Sequence, residues 1–313
     1  MRVIVHGFQV LLAIIILTGV GAGFTAQAKE PRKPNFALFY EAAKLSALAY
    51  EPRTKIMRQY RPGMVWVNTP GTSDVQYVLI TDDDNKRQII AVRGTVDDAN
   101  WKLDRDTRAV RDQRGGLLLH RGFKRAAEDI YGDVRPRLKP GYTLFMTGHS
   151  LGGAVAVILG IYMWDDGFRV GGIITLGQPK FTSVEGARAY AALPIIRLVY
   201  QNDVVSLLPE EASNSKQQFV HIGAVINLLS GPYYTYGSME QAIQFDLQPL
   251  SKVLLQVSVP DHMIKWYLQS LREKKDQAIQ VRNKDRNRYI ERHKFGSGVD
   301  TVKPQKRYNF NSR

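Results

Sequence analysis

The fold is decided by the stretch YTLFMTGHSLGGAVA, residues 142–156. Its first six residues are apolar or β-branched and predict a strand, and the small residues after Gly152 predict a helix that packs closely on that strand. Between them, Gly148 to Gly152 follow the pattern Gly-x-Ser-x-Gly, in which a serine lies on a sharp strand-to-helix turn and projects its hydroxyl above a sheet. A side chain at either glycine would collide with neighbouring backbone at such a turn. The pattern therefore predicts that Ser150 is a nucleophile.

Strands and helices alternate around this stretch. Runs of β-branched and aromatic residues predict strands at 64–67, 75–81, 88–93, 142–147, 172–176 and 195–200, and helical spacing of apolar residues predicts helices at 34–50, 122–138, 151–164 and 261–271. Residues 222–250 are less regular, since they mix apolar residues with Gly231-Pro232 and three tyrosines. Alternation of this kind predicts an α/β fold with a largely parallel central sheet flanked by helices on both faces.

The composition is that of a folded globular protein. Hydrophobic residues make up 44% of the 313 residues and charged residues 23%, which excludes a disordered or membrane-embedded chain. The absence of cysteine excludes disulfides, thiolate metal sites and a cysteine nucleophile. One large domain, or at most two, is expected at this length.

Residues 1–28 have the features of a secretory signal peptide. Arg2 and His6 precede an apolar run at 10–20, and Ala26-Gln27-Ala28 supplies small residues around a cleavage point. The apolar run is shorter than the roughly 20 residues that span a bilayer, which argues against a transmembrane anchor. We therefore expect an exported protein, either periplasmic or secreted.

The net charge of +14 is concentrated at the C-terminus. Residues 271–313 contain 13 Lys and Arg against 5 Asp and Glu. We therefore predict a catalytic domain at 29–270 and a basic C-terminal tail at 271–313. Such a tail is attracted to anionic lipid head groups, other polyanions or nucleic acid, although a solvated tail that only aids solubility is an equal alternative.

A serine hydroxyl needs a histidine to take its proton and a carboxylate to orient that histidine, and in this fold both follow the serine in the chain. The histidines are at positions 6, 120, 149, 221, 262 and 293. Position 6 lies in the signal, 120 precedes the serine, 149 is its direct neighbour and 293 lies in the tail. His262 follows a turn and can reach the serine, whereas His221 lies in an apparent strand and reads as a packed, hydrogen-bonded histidine. We therefore predict His262 as the base.

Asp203 is the predicted carboxylate, because it follows the strand at 195–200 and functional groups collect at the carboxyl ends of strands in open α/β sheets. Asp261 is the alternative, but a residue adjacent to the base is badly placed to orient it. The backbone N–H groups of Thr95, which closes another strand, and of Leu151 are the candidate oxyanion donors. This chemistry requires neither a metal ion nor an organic cofactor.

Blocks spread along the chain resemble the class 3, or fungal-type, lipases of the α/β-hydrolase superfamily. The blocks lie in that family's order at 91–95, 100–104, 119–123, 147–153, 201–209, 219–223 and 261–262, and the resemblance extends from about residue 34 to residue 271. The resemblance implies nucleophile Ser150, acid Asp203, base His262 and oxyanion donors Thr95 and Leu151. It also implies that the segment after Thr95 is a lid over the pocket.

The predicted lid differs from the amphipathic lids of the family's best-known members, since residues 96–116 are dominated by charge. A polar lid fits an esterase or a phospholipase on anionic membrane lipid better than a triacylglycerol lipase. Residues 222–250 supply either an apolar acyl-binding wall or ordinary core. The leading hypothesis is an exported carboxylic ester hydrolase that acts on lipid or other acyl esters through acyl-Ser150. The alternative is a non-catalytic envelope-binding protein that uses the basic tail, whereas a nucleic-acid enzyme conflicts with the export signal.

Overall fold

The computed structural model describes residues 33–95, 107–212, 214–249 and 258–290. Its strands are β1 (Val65–Asn68), β2 (Tyr77–Asp82), β3 (Arg87–Val92), β4 (Ala109–Arg111), β5 (Leu118–His120), β6 (Thr143–His149), β7 (Arg169–Leu176), β8 (Ile195–Tyr200), β9 (Ala224–Leu228), β10 (Tyr233–Gly237) and β11 (Ile279–Gln280). Its α-helices are α1 (Phe36–Leu48), α2 (Arg53–Gln59), α3 (Arg121–Val134), α4 (Leu151–Asp165), α5 (Val184–Ala189), α6 (Met239–Asp246) and α7 (Ile264–Lys274).

One sheet of nine strands organises the described chain, in the order β1-β2-β3-β6-β7-β8-β9-β10-β11. The strands from β3 through β6, β7 and β8 to β9 run parallel, while β1, β2 and β3 pair antiparallel at one edge and β9 and β10 form a hairpin near the other. The predicted α/β-hydrolase fold, with a largely parallel sheet flanked by helices, is confirmed. This sheet brings the ends of β3, β6 and β8 to one edge, where the predicted site residues lie.

Both faces of the sheet are covered, as a parallel sheet requires. Helices α3 and α4 pack on one face; every residue of α4 from Gly152 to Met163 is buried, and all of these except the glycines belong to the largest core cluster. Helices α1 and α7 pack on the other face against a second cluster that includes Leu176, Leu198 and Ile226. The strands in the middle therefore carry apolar side chains on both faces, which is why they were readable from the sequence as continuous apolar runs.

The structure is more regular than the sequence predicted at residues 222–250. Strands β9 and β10 form an antiparallel hairpin around the turn at Gly231, and α6 follows with a capping box between Ser238 and Gln241. Ile226, Leu228 and Tyr234 belong to the core cluster under α1 and α7. The segment was expected to supply either an acyl-binding wall or ordinary core, and these three side chains belong to the core.

Regular structure also continues past residue 270. The predicted boundary falls inside α7, which ends at Lys274, and β11 then pairs with β10 in the main sheet. Lys274 is buried, and its ammonium group donates to the carbonyl oxygens of Leu229 and Gly231 at 2.6 Å each. Residues of the predicted tail up to about 290 therefore include elements that pack against the sheet, and the charge of Lys274 is buried rather than exposed.

The signal peptide prediction at 1–28 and the end of the tail at 291–313 lie outside the described residues. Within the described ranges, no helix is both long and apolar enough to cross a membrane.

Candidate active site

Ser150 lies at the turn between β6 and α4. Its φ is 59° and its ψ is −135°, a conformation that an L-residue rarely adopts and that costs of order 1–3 kcal/mol. The flanking glycines make the turn sterically feasible, because a Cβ on Gly148 would lie 2.8 Å from the Gly153 nitrogen and a Cβ on Gly152 would lie 2.8 Å from the Arg93 carbonyl carbon. The turn predicted from the Gly-x-Ser-x-Gly pattern is therefore present, with its serine at the N-terminus of a buried helix.

The structure pairs His262 with Asp203. His262 lies in a short 3₁₀ turn before α7, and its Nδ1 is 2.9 Å from Oδ2 and 3.1 Å from Oδ1 of Asp203, which follows β8. The carboxylate also accepts hydrogen bonds from the hydroxyl of Tyr267 at 2.5 Å and from the backbone N–H of Val205 at 2.9 Å. The two predicted residues thus meet although 59 residues separate them in the chain.

The environment of Asp203 keeps its carboxyl ionised. Burial alone would raise the pKa of this side chain, but His262 nearby and the hydrogen bonds from His262, Tyr267 and Val205 together hold the pKa below its usual value. Asp203 is 1% exposed, so its charge is screened little by solvent. A buried carboxylate of this kind fixes the orientation of the imidazole and stabilises the imidazolium form when that ring takes a proton.

His149 connects the serine turn to this pair. Its ring stacks on the ring of His262 with centroids 4.6 Å apart, and its Nε2 donates to the backbone carbonyl of His262 at 2.7 Å. Burial and the neighbouring His262 lower the pKa of His149 to about 3, so the ring is neutral near neutral pH. Since Nε2 carries the proton, Nδ1 accepts from the Tyr50 hydroxyl at 2.8 Å. Sequence reasoning had excluded His149 as a base and missed this positioning role.

Gly177 lies at the end of β7, in close contact with Asp203 and His262. It follows β7 with a φ of 55°, and its backbone is so close to the pair that a Cβ there would lie 2.6 Å from Asp203 Oδ2 and 2.9 Å from His262 Nδ1. Leu176, the residue before Gly177, accepts a hydrogen bond from the backbone N–H of Ser150 through its carbonyl oxygen at 2.9 Å. Ser150, Asp203 and His262 are therefore gathered around one strand end.

The end of β3 reaches the serine as well. A Cβ on Gly94 would lie 2.6 Å from the His149 carbonyl oxygen and 3.0 Å from Ser150 Cβ, so only a glycine fits there. Thr95 is the next residue and is exposed, and Leu151 is the first residue of α4. The two predicted oxyanion donors thus lie on segments that touch the serine: Thr95 follows the neighbouring strand β3, and Leu151 follows Ser150 itself.

The alternative residues are engaged elsewhere. His221 is buried and directs Nδ1 to Asp246 at 2.8 Å and Nε2 to the Gln178 carbonyl at 2.9 Å, which agrees with its interpretation as a packed, hydrogen-bonded histidine. Asp261 accepts from the backbone N–H of Asn202 at 3.1 Å. Neither makes the contact that joins His262 to Asp203.

Part of the predicted lid lies outside the described residues, namely 96–106. Its later part is folded, since β4 pairs antiparallel with β5 through Ala109 and His120, and Asp112 caps the following turn by accepting from the N–H groups of Arg114 and Gly115. Among the described residues no group of three or more His, Asp or Glu side chains is placed to hold a metal ion.

Residues 89–213 match the family model described as Lipase (class 3). Residues 217–313 match a second model, Spumavirus aspartic protease (A9), but the described part of that segment forms β9, β10, α6 and α7 of the sheet domain. The segment also contains His262, the partner of Asp203 in the first matched region. The second match therefore does not define a separate domain.

Curated lipases are similar to parts of the chain. The secreted mono- and diacylglycerol lipase 1 of Fusarium solani is 31% identical over 109 residues, which are 33% of this chain and 32% of that protein. A lipase of Rhizomucor miehei is 29% identical over 194 residues, which are 52% of this chain and 51% of that protein. The chain thus spans about a third to a half of the length of these relatives.

Solved structures share the fold over a longer stretch. The triacylglyceride lipase of Rhizomucor miehei aligns with a TM-score of 0.56 and 21% identity, covering 72% of this chain and 92% of that one. Lip2 lipase from Yarrowia lipolytica aligns with a TM-score of 0.54 and 19% identity, covering 68% and 90%. The matched segment 89–213 lies inside this shared fold, so the predicted resemblance to the class 3 lipases is confirmed over that segment.

Proposed function

We propose that this protein is an exported serine hydrolase that cleaves carboxylic esters through an acyl-Ser150 intermediate, with His262 as general base and Asp203 as the orienting carboxylate. The observation that carries the proposal is the 2.9 Å contact between His262 Nδ1 and Asp203, made beside a serine held at a φ of 59°. A serine in a strained turn next to a buried His–Asp pair is the arrangement that acyl transfer requires.

In the first half of the reaction Ser150 Oγ attacks the ester carbonyl. Because Nδ1 of His262 is committed to Asp203, the nitrogen that takes the serine proton is Nε2. The imidazolium then gives this proton to the departing alcohol, and the acyl group stays on the serine. In the second half a water molecule loses its proton to Nε2, attacks the acyl carbonyl and releases the carboxylic acid and free Ser150.

Negative charge develops on the carbonyl oxygen in both halves. The N–H of Leu151 at the start of α4 and the N–H of Thr95 at the end of β3 are the proposed donors to this oxygen. Each such donor is typically worth about 3 kcal/mol of transition-state stabilisation. The N-terminus of the buried helix α4 favours the same charge.

The proposed substrates are esters of lipids or similar apolar acyl compounds. The relatives support this class, since the Fusarium solani protein is named a mono- and diacylglycerol lipase and the Rhizomucor miehei protein a lipase. The charged residues at 96–116 favour a soluble ester or an anionic phospholipid over a triacylglycerol droplet. Phospholipase activity is therefore the second candidate.

Export rests on the signal-like residues 1–28 and agrees with the secreted relative. The division that we propose is a signal peptide at 1–28, a catalytic domain that begins near residue 29 and continues past 270, and a basic segment toward the C-terminus. The basic segment is the part proposed to contact an anionic membrane surface.

A fluorophosphonate probe tests the nucleophile directly. We expect the mature protein to be labelled once, and we expect Ser150→Ala to abolish both labelling and hydrolysis of p-nitrophenyl esters. Ser183→Ala is the matched control, because Ser183 is also the N-cap of a helix, α5, where it accepts from the Gly186 N–H. Labelling that survives Ser150→Ala would refute the proposal.

Rates across p-nitrophenyl esters of increasing chain length, compared with phosphatidylglycerol and a triacylglycerol emulsion, then separate esterase, phospholipase and lipase. We expect soluble esters or phosphatidylglycerol to be the faster substrates. A marked preference for the emulsion would contradict the inference from the charged lid.

A further inference from the structure

A cavity of about 380 Å³ lies beside the active site, between β8, β9 and α6. Arg197 and Val199 of β8 line it, together with Gln201 just after β8 and with Asp203 of the proposed catalytic pair. Its rim consists of exposed residues, which include Phe245 of α6 and Asn283 of the C-terminal segment. The cavity is therefore open to solvent on one side and deep on the other.

The guanidinium of Arg197 is a buried cation that lines this cavity. This residue is 3% exposed, and its Nε donates no hydrogen bond to any described residue. Burial lowers its pKa to about 10 although Asp246 nearby acts in the opposite direction, so the group is still a cation near neutral pH. A buried donor without an acceptor destabilises the protein, and a guanidinium can only donate. Arg286 also lines the cavity, and its Nε likewise donates no hydrogen bond to a described residue, although its Nη2 donates to Gln201 and Asn202.

The two carboxylates of the cavity are already occupied. Asp203 accepts from His262, Tyr267 and Val205, and Asp246 accepts from the backbone N–H and Nδ1 of His221. The cavity therefore has unused hydrogen-bond donors, on its two arginines, but its acidic acceptors are used. A ligand that complements it must bring acceptor oxygens, and a carboxylate is the acceptor that a guanidinium binds most strongly.

The remaining walls are apolar. Val199, Leu207, Val225 and Ala242 line the cavity, and Phe245, which is 49% exposed, lies at its rim. An exposed phenylalanine at the mouth of a partly apolar cavity provides a surface for a hydrocarbon chain. A bare inorganic anion would leave these walls uncovered.

We propose that this cavity binds an organic acid with an apolar tail, whose carboxylate is anchored by Arg197 and whose tail lies along Val199 and Val225 toward Phe245. The site goes beyond the proposed hydrolysis, since binding there involves neither Ser150 nor an acyl intermediate. It remains testable in a protein that hydrolyses nothing.

The test is calorimetric titration of the full mature chain with sodium octanoate below its micelle-forming concentration. Octanamide is the matched probe, because it has the same tail and lacks the charge. Arg197→Met removes the anchor, and Val225→Phe fills the cavity while it retains Arg197, so the test survives if the first variant does not fold. Arg188→Met is the control, because Arg188 is an exposed arginine of α5 that does not line the cavity.

We expect saturable binding of octanoate to the wild type and to Arg188→Met, at least about tenfold weaker binding to Arg197→Met and Val225→Phe, and weak binding of octanamide. Binding of octanoate and octanamide with equal affinity would overturn the carboxylate assignment. Equal binding to all variants would place octanoate elsewhere, for example beside Ser150, and no binding to the wild type would mean that the cavity holds only water. Both of these results would refute the proposal.

Discussion

Replacement of Gly177 by alanine should damage the proposed active site more than any change of comparable size on the surface. The added Cβ would lie 2.6 Å from Asp203 Oδ2 and 2.9 Å from His262 Nδ1, and ordinary contact begins near 3.4 Å. The carboxylate must therefore move by about 0.8 Å, or the glycine backbone must retreat by as much. Both shifts disturb the 2.9 Å contact between the two side chains.

The expected magnitude follows from this displacement. A misplacement of about 1 Å in a catalytic arrangement can reduce the rate by about 10²-fold, so we expect the kcat of Gly177→Ala to fall by roughly 10-fold to 100-fold. The φ of 55° costs alanine roughly 1–2 kcal/mol, and forcing atoms into a packed site costs roughly 1–3 kcal/mol more. The free energy of unfolding should therefore fall by roughly 2–5 kcal/mol.

Gly167→Ala is the matched control. Gly167 also has a positive φ, 81°, but a Cβ there meets no atom within 4 Å. It should lose only the roughly 1–2 kcal/mol of backbone strain and keep its turnover. Urea unfolding gives the stabilities, and p-nitrophenyl ester hydrolysis, normalised to folded protein, gives the rates. If Gly177→Ala hydrolyses esters as fast as Gly167→Ala does, the assigned roles of His262 and Asp203 are wrong.

Three further predictions concern buried polar groups. Tyr267→Phe removes a hydrogen bond to Asp203, so the free energy of unfolding should fall by about 1.5–3 kcal/mol at neutral pH. The loss should be smaller below about pH 4, because the depressed pKa of Asp203 contributes stability that disappears as the pH falls. Equal losses at both pH values in urea unfolding would contradict this. His149 binds a proton more readily in the unfolded chain, because its pKa is about 3 in the folded protein. Protonation of this histidine in the unfolded chain should therefore lower the free energy of unfolding by roughly 1.4 kcal/mol for each unit that the pH falls between about 6.5 and 3. In the same unfolding series, stability should depend less steeply on pH in His149→Gln. Lys274→Met leaves two backbone carbonyls without their buried donor and should lower the free energy of unfolding by roughly 2 kcal/mol. Lys275→Met, a change at an exposed neighbour, should leave it almost unchanged. Similar urea midpoints for both variants would refute the packed role of Lys274.

The main elements of the fold were predictable because their signals are local. The buried strands β3, β6, β7 and β8 consist of β-branched and apolar residues, and α4 begins at the Gly-x-Ser-x-Gly turn. The hairpin of β9 and β10 was missed because its tyrosines and single apolar residues resemble neither a regular strand nor a helix. It is stabilised by pairing with β8, which is a contact between distant parts of the chain.

The pairing of His262 with Asp203 was predictable because chain order and strand ends restrict the choice of residues. The groups that support the pair were not predictable in this way. Tyr267 reaches Asp203 across 64 residues, and Tyr50 reaches His149 across 99. No sequence spacing indicates such contacts, because they depend on how the helices and strands lie on each other. The same limit applies to residues 271–290, since charge counts do not reveal that Lys274 and Arg286 bind backbone carbonyls.

Two buried His–Asp pairs within the described ranges allow the proposed base to be compared with a structural contact. His221 and Asp246 approach to 2.8 Å, as closely as His262 and Asp203 do, so the pair alone does not define a catalytic histidine. Both ring nitrogens of His221 face acceptors, Asp246 and the Gln178 carbonyl, and the ring therefore ties α6 to the segment after β7. At His262 the neighbouring His149 donates to the backbone carbonyl and stacks on the face of the ring. Asp203 orients Nδ1 and His149 holds the backbone, and Nε2 is the atom that takes the Ser150 proton in the proposed mechanism.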